Sequence, residues 1–146
     1  MSPYAAETEV PIERSKAQIE AMLRQRGATD YASGWSETED RIQFRMHNVT
    51  IRFSLPRAKR ADYLTDNAGR ERRPAVLERM MAQADRSRWR SLYLVIKAKL
   101  EAVDAGISIY EEEFLAFVVM ADGRTVGSCL VPQITAGKQL QIGDGK

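Results

Sequence analysis

His47 is the only histidine in the chain, so a Ser-His-Asp relay or a Cys-His pair would have to be built on it. It lies between two alternating apolar runs, in a pair His47-Asn48 that reads as a hairpin tip. A tip implies neither burial nor an orienting carboxylate, and the turn alone accounts for the residue. Glu111-Glu112-Glu113 is the densest run of carboxylates, the residue type that nucleases and phosphotransferases use to hold Mg2+. Successive helical residues point about 100° apart, so these three cannot converge on one ion. Acids in a first helical turn are also favoured by the helix dipole. A nuclease would want an Asp followed by a strand-borne Glu-x-Lys, and Glu-x-Lys occurs nowhere. The glycine-rich phosphate loop Gly-x-x-x-x-Gly-Lys is absent too. Cys129 is the single cysteine, which excludes an internal disulfide and a four-cysteine or two-cysteine, two-histidine zinc site. Beside Leu130 and Val131 it reads as a small core residue. The expectation is a chain with no catalytic residue, no metal ligands and no cofactor.

What remains is electrostatic. The net charge of +2 conceals a segregation: residues 52–99 hold 13 Lys and Arg against 5 Asp and Glu, between flanks of net −2 and −4. Arg41, Arg45 and Arg52 fall on one face of the expected hairpin. Lys59, Arg60, Arg70, Arg72 and Arg73 lie in the connection after it. Arg79, Arg86, Arg90, Lys97 and Lys99 lie on a long helix. Guanidinium groups on a sheet beside a flexible basic loop suit phosphate contacts, which places Arg41, Arg45, Arg52, Lys59, Arg60, Arg70, Arg72, Arg73, Arg86 and Arg90 in a candidate nucleic-acid-binding set. Two plainer readings stand beside it: arginines on an open sheet face guard against aggregation, and a basic helix is simply solvated. Trp35 and Trp89 are of the type that stacks on bases, and Trp89 has Arg86 one helical turn away.

These residues must be positioned by a few elements. Ile12, Ala17, Ile19, Met22 and Leu23 recur at helical spacing over 11–26, with Pro11 at the start and Gly27 at the stop. Tyr31 to Trp35 reads as a short strand and Glu37 to Asp40 as a polar turn. Ile42, Phe44 and Met46, then Val49, Ile51, Phe53 and Leu55, alternate with polar residues around His47-Asn48. A two-residue turn pairs Met46 with Val49, Phe44 with Ile51 and Ile42 with Phe53, making one face uniformly apolar. Pro56 is expected to end that strand. Residues 57–73 lack periodicity and read as a mobile connection. Pro74 opens a long apolar stripe ending at Gly106, as one kinked helix or two. Ser108 precedes Glu111 at capping-box spacing, which predicts a helix from about Ile109 to Val119. Asp122-Gly123 is a turn, Arg124 to Val131 a short closing strand, and Pro132 onward a loose tail.

The assembled expectation is α+β: an N-terminal helix, a short antiparallel sheet centred on the 41–55 hairpin, then long C-terminal helices packed on one face. One domain covers 10–134, with 1–9 and 135–146 as flexible tails. Met1 to Glu9 has no signal-peptide pattern, and Phe114 to Ala121, the longest strongly apolar stretch, is far shorter than the ~20 residues that span a bilayer. A cytoplasmic protein without membrane contact is expected.

The stretch RWRSLYLVIKAKLEAVDAGISIYEEEFLAFVVMADGRTVG, Arg88 to Gly127, and the opening Val10-Pro11-Ile12-Glu13-Arg14-Ser15 resemble small uncharacterised proteins of bacteriophages and prophages. The resemblance runs to about residue 134, and the tail from Thr135 departs from it. It implies a mobile-element protein inside a bacterial cell and carries no activity or functional residues. Two functions follow as expectations: a non-enzymatic nucleic-acid-binding or recombination-accessory protein, or a protein-binding inhibitor or adaptor acting on a host complex.

Overall fold

The computed structural model of the chain describes residues 5–143. Helix α1 (Ile12–Gln25) leads into strands β1 (Asp30–Trp35), β2 (Glu39–Met46) and β3 (Val49–Pro56), which form one antiparallel sheet in that order. Helix α2 (Pro74–Asp104), the four-residue α3 (Tyr110–Glu113) and α4 (Val126–Thr135) follow. Short 3-10 turns sit at Arg60–Tyr63 and Leu115–Phe117.

The hairpin has the register its apolar pattern dictates, with Met46 opposite Val49, Phe44 opposite Ile51 and Ile42 opposite Phe53. His47 and Asn48 both take positive φ, 53° and 63°, as a two-residue turn matched to the right-handed strand twist requires. One sheet face is therefore buried. Ile42, Phe44, Ile51 and Phe53 join Ile19 and Leu23 of α1, Trp89, Leu92, Ile96 and Leu100 of α2, and Tyr110 and Phe114. Phe114 meets Phe44 and Phe53 edge-on at 6.2 and 6.4 Å, and Phe53 stacks on Phe117 at 4.2 Å. Pro56 is the last residue of β3, as expected, with one further bond just beyond it. Arg57 donates its N–H to the Thr38 carbonyl, and alternation turns the Pro56 nitrogen away from β2, where no donor is needed.

Residues 74–104 form one helix, not two. At 31 residues it is about 46 Å long, well beyond the roughly 26 Å of β2. Its middle stays continuous because Asp85, Arg86 and Arg88 each find a partner: Asp85 accepts the Ala58 N–H, Arg86 donates to Gln83, and Arg88 pairs with Asp85 at 3.2 Å.

Four expectations are corrected. The connection 57–73 is folded: Asp66 Oδ1 accepts the backbone N–H groups of Ala68 and Arg70, its Oδ2 accepts from Arg70 Nε, and Thr65 bridges Glu71. The helix expected over 109–119 stops at Glu113, because Ser108 donates to the Glu113 carboxylate instead of capping and Val119 donates its N–H to Thr50 of β3. The closing strand expected over 124–131 is a single bridge, Val119 with Thr125, and then α4. Thr125 caps that helix by accepting the Ser128 N–H, and Gly127 rests against the Ala116 carbonyl, too close for any Cβ. Residues 132–135, expected in the tail, belong to α4, and Gln133 of that helix holds the backbone of Gln141. The Gln133 side-chain amide accepts the Gln141 N–H at 2.7 Å and donates to its carbonyl at 2.8 Å.

At the other end Ala5 is buried, and Gln83 Nε2 donates to the carbonyls of Ala6 and Thr8, so residues 5–9 rest on α2. The tail expectation for residues 1–4 and 144–146 lies outside the described residues. Among the described residues no helix is long and apolar enough to cross a membrane.

Candidate functional site

Alternation along the strands sends the residues between the core positions to the other side of the sheet. There Arg41, Gln43, Arg45 and Ser54 are exposed, Thr50 and Arg52 are half-buried, and β1 contributes Asp30, Ala32 and Gly34. The helices pack on the apolar side, so this outer face is open. Small residues on β1 leave a shallow trough along the β1–β2 boundary. One hollow of about 480 Å3 lies among Ala32, Gly34, Trp35, Arg41 and Gln43. A second of about 650 Å3 adjoins it at Ala32 and Gln43 and reaches Asp30, Arg45 and Thr50.

The arginines on this face are held differently. Arg52 donates to the Gly123 carbonyl at 2.7 Å, which fixes the 122–124 turn against β3. Arg41 pairs with Glu39 on its own strand. Arg45 lies opposite Asp30 in register and makes no ion pair among the described residues. The face thus carries three guanidiniums against two carboxylates, Asp30 and Glu39.

The other seven candidates do not join them. Lys59 and Arg60 are exposed beside the 3-10 turn, at the strand ends away from the hairpin tip. Arg70 pairs with Asp66 at 3.1 Å, Arg72 donates to the Tyr63 carbonyl, and Arg73 is the exposed N-cap of α2. This connection is bound to α2 through Asp85. Arg86 and Arg90 sit in the helical layer across the core. Arg86 donates to Gln83, while Arg90 donates to Gln18 and lies 4.4 Å over the Tyr93 ring. Ten basic residues that are close in sequence become three separate groups.

At the end of the trough lie Trp35, which the sequence offers as a residue type that stacks on bases alongside Trp89, and Arg57, which the candidate set omits. Trp35 is 76% exposed, whereas Trp89 is buried with its indole N–H donated to Asp40 at 3.1 Å. Strand parity starts Trp35 on the helix side, but it is the last residue of β1 and lies at the sheet's end. There it borders both the hollow on the open face and a smaller one formed with Ile12, Lys16 and Arg57. Arg57, just past the end of β3, lies 5.9 Å over the Trp35 ring and donates to the Ser36 carbonyl at 2.9 Å. The β1–β2 turn beside them is tight, with Ser36 Oγ accepting the N–H groups of Thr38 and Glu39. The signal for Trp35 lay in β1, where Asp30-Tyr31-Ala32-Ser33-Gly34-Trp35 carries too few large apolar residues to be covered on both faces.

Of the residues weighed for catalysis, His47 and Glu113 have partners in the fold. His47 lies against Tyr110 at 5.1 Å. Glu113 is held below the usual carboxylate range by the Ser108 hydroxyl and then by Lys99. Burial, with Glu111 adding to it, pushes the Tyr110 hydroxyl up to about 12. Among the described residues no three His, Cys, Asp or Glu side chains are grouped as a metal site would require. No family model, curated protein or solved structure matches the chain.

Proposed function

We propose that the chain is a nucleic-acid-binding or recombination-accessory protein of a phage or other mobile element. It acts by binding rather than catalysis, in the cytoplasm of a bacterial host. The observation that supports this reading is the uncovered sheet face, on which Arg41, Arg45 and Arg52 stand with Gln43, Thr50 and Ser54 as further hydrogen-bonding groups. Long cations and short polar groups on a rigid sheet suit a phosphate backbone. Folding has little use for the exposed Arg41 and Arg45, since exposed charges contribute near zero to stability, whereas Arg52 also fixes the 122–124 turn.

The test is a salt series with single-stranded and double-stranded oligonucleotides. Combined replacement of Arg41, Arg45 and Arg52 by Gln should weaken binding and lower the melting temperature no further than replacement of Arg52 alone, which loses the bond to Gly123. The slope of log affinity against log salt should shrink by about 0.7–0.9 for each phosphate that the variant no longer neutralises. Arg70, Arg72 and Arg73, bound to their own loop and to α2, should matter much less. No oligonucleotide binding at low salt, or full binding by the triple variant, would refute the reading.

The second reading, a protein partner on a host complex, is favoured by one observation. Helix α4 carries no charged residue, and Val131, Ile134, Leu140 and Ile142 around it are each at least half exposed. Under that reading, Ile134→Asp abolishes capture of the partner and leaves oligonucleotides unaffected.

A further inference from the structure

An exposed tryptophan needs a reason. Burying such a large apolar side chain favours folding, and Trp35 forgoes most of that gain at 76% exposure. The ring is nonetheless held in place. Its strand ends in a turn closed by Ser36 Oγ, and Arg57, itself tied to the Ser36 carbonyl, covers part of one side. Beside it the trough floor is formed by Gly34 and Ala32, which leave a gap next to the indole. Gln43 and Arg41 stand along the same hollow, one able to donate and accept hydrogen bonds, the other cationic and paired with Glu39, which lines the hollow as well.

From this geometry we infer that Trp35 is a stacking platform for an unpaired nucleobase, and that the ligand of the open sheet face is single-stranded. The inference rests on the nucleic-acid reading and deepens it. A base slides over Gly34 onto the indole, and its phosphates follow the trough past Arg41 toward Arg45. A β1-length trough spans about 20 Å, enough for on the order of four nucleotides. A duplex cannot use the platform, because its bases are already stacked on one another and only their edges face outward.

Three probes of about twelve nucleotides, a length within the usual single-strand footprint, separate the possibilities: oligothymidylate, a strand of abasic sites, and a duplex. Binding is followed by the fluorescence anisotropy of an end-labelled probe, and the surroundings of Trp35 in the wild type by tryptophan emission. Only Trp35 is open to iodide, since Trp89 is buried, so iodide quenching selects it. Oligothymidylate should shield Trp35 from iodide and bind more tightly than either other probe. Trp35→Ala should weaken oligothymidylate binding roughly 5- to 150-fold, the range for one stacked base, with the salt slope unchanged. Trp35→Phe should recover part of that loss.

Failure to shield Trp35, equal binding of the abasic strand or the duplex, or full affinity in Trp35→Ala would each overturn the stacking platform. Any of these outcomes leaves phosphate binding by the sheet face intact. Absence of binding by all three probes overturns both readings together.

Discussion

Trp35 and Trp89 differ completely in their surroundings: one faces solvent and the other is sealed in the core with its N–H on Asp40. The difference lies in what each element has behind it. Trp89 is on the face of α2 that meets the sheet, with Lys16 of α1 4.9 Å from its ring, while Trp35 closes β1 at the sheet's end, where little covers it. Phe44 is the counterpart of Trp89 among the phenylalanines, 1% exposed and packed on Phe114. Phe44→Ala should cost about 3–5 kcal/mol in denaturant unfolding, because the sheet cannot collapse into the gap without losing its register. A cost below about 1 kcal/mol would contradict the central place assigned to that ring. The hairpin residues were legible from alternation alone, since a uniformly apolar face admits one register. The basic site was legible only in part. Arg41, Arg45 and Arg52 share a face by strand parity, but nothing local says that Arg86 and Arg90 lie across the core from them.

The elements that escaped the sequence reading are those set by one or two specific contacts rather than by a periodic pattern. The connection 57–73 has no periodicity because Asp66 organises it, through the backbone N–H groups of Arg70 and Ala68 and then the Arg70 side chain. Those bonds hold the Asp66 carboxyl below the usual carboxylate range. With the folded value depressed, its contribution is fully present above the unfolded value, about 3.9, and is lost as pH falls through the folded one. Protection of the Ala68 and Arg70 amides, measured against their intrinsic exchange rates, should therefore fall selectively below about pH 4, and Asp66→Asn should show that lower protection already at neutral pH. Uniform protection in both proteins at all pH values would contradict this account. In α4, Val126, Leu130 and Val131 suit a strand as well as a helix, so composition leaves the state open. Thr125 as cap and Gly127 as the point of close approach decide it. A Cβ on residue 127 would lie 2.8 Å from the Ala116 carbonyl oxygen. Gly127→Ala should accordingly cost about 1–3 kcal/mol despite its better helix propensity, as read by thermal unfolding. A stabilised variant would show that the contact yields easily.

At the scale of the molecule, α2 outreaches the sheet, and segments far apart in sequence anchor along it: Ala5–Glu9 through Gln83, Ala58 through Asp85, and Glu113 through Lys99. The sheet itself is finished on one side only. Val119 closes part of the β3 edge through Thr50, while β1 pairs with nothing but β2 among the described residues. Ser36 donates its N–H to Glu39, so by alternation the amides and carbonyls of Tyr31, Ser33 and Trp35 point outward into water. No proline or lysine interrupts that row. Such a border is a growing point: any extended chain, including another copy of the molecule, can add a strand there. Concentration, not only sequence, is then expected to set how much of the protein self-associates. Light scattering should show the wild type gaining mass with concentration, and Ser33→Lys, which places a charge on the border, should remain monomeric throughout. A wild type whose mass stays constant at every concentration would mean that water alone satisfies the open border.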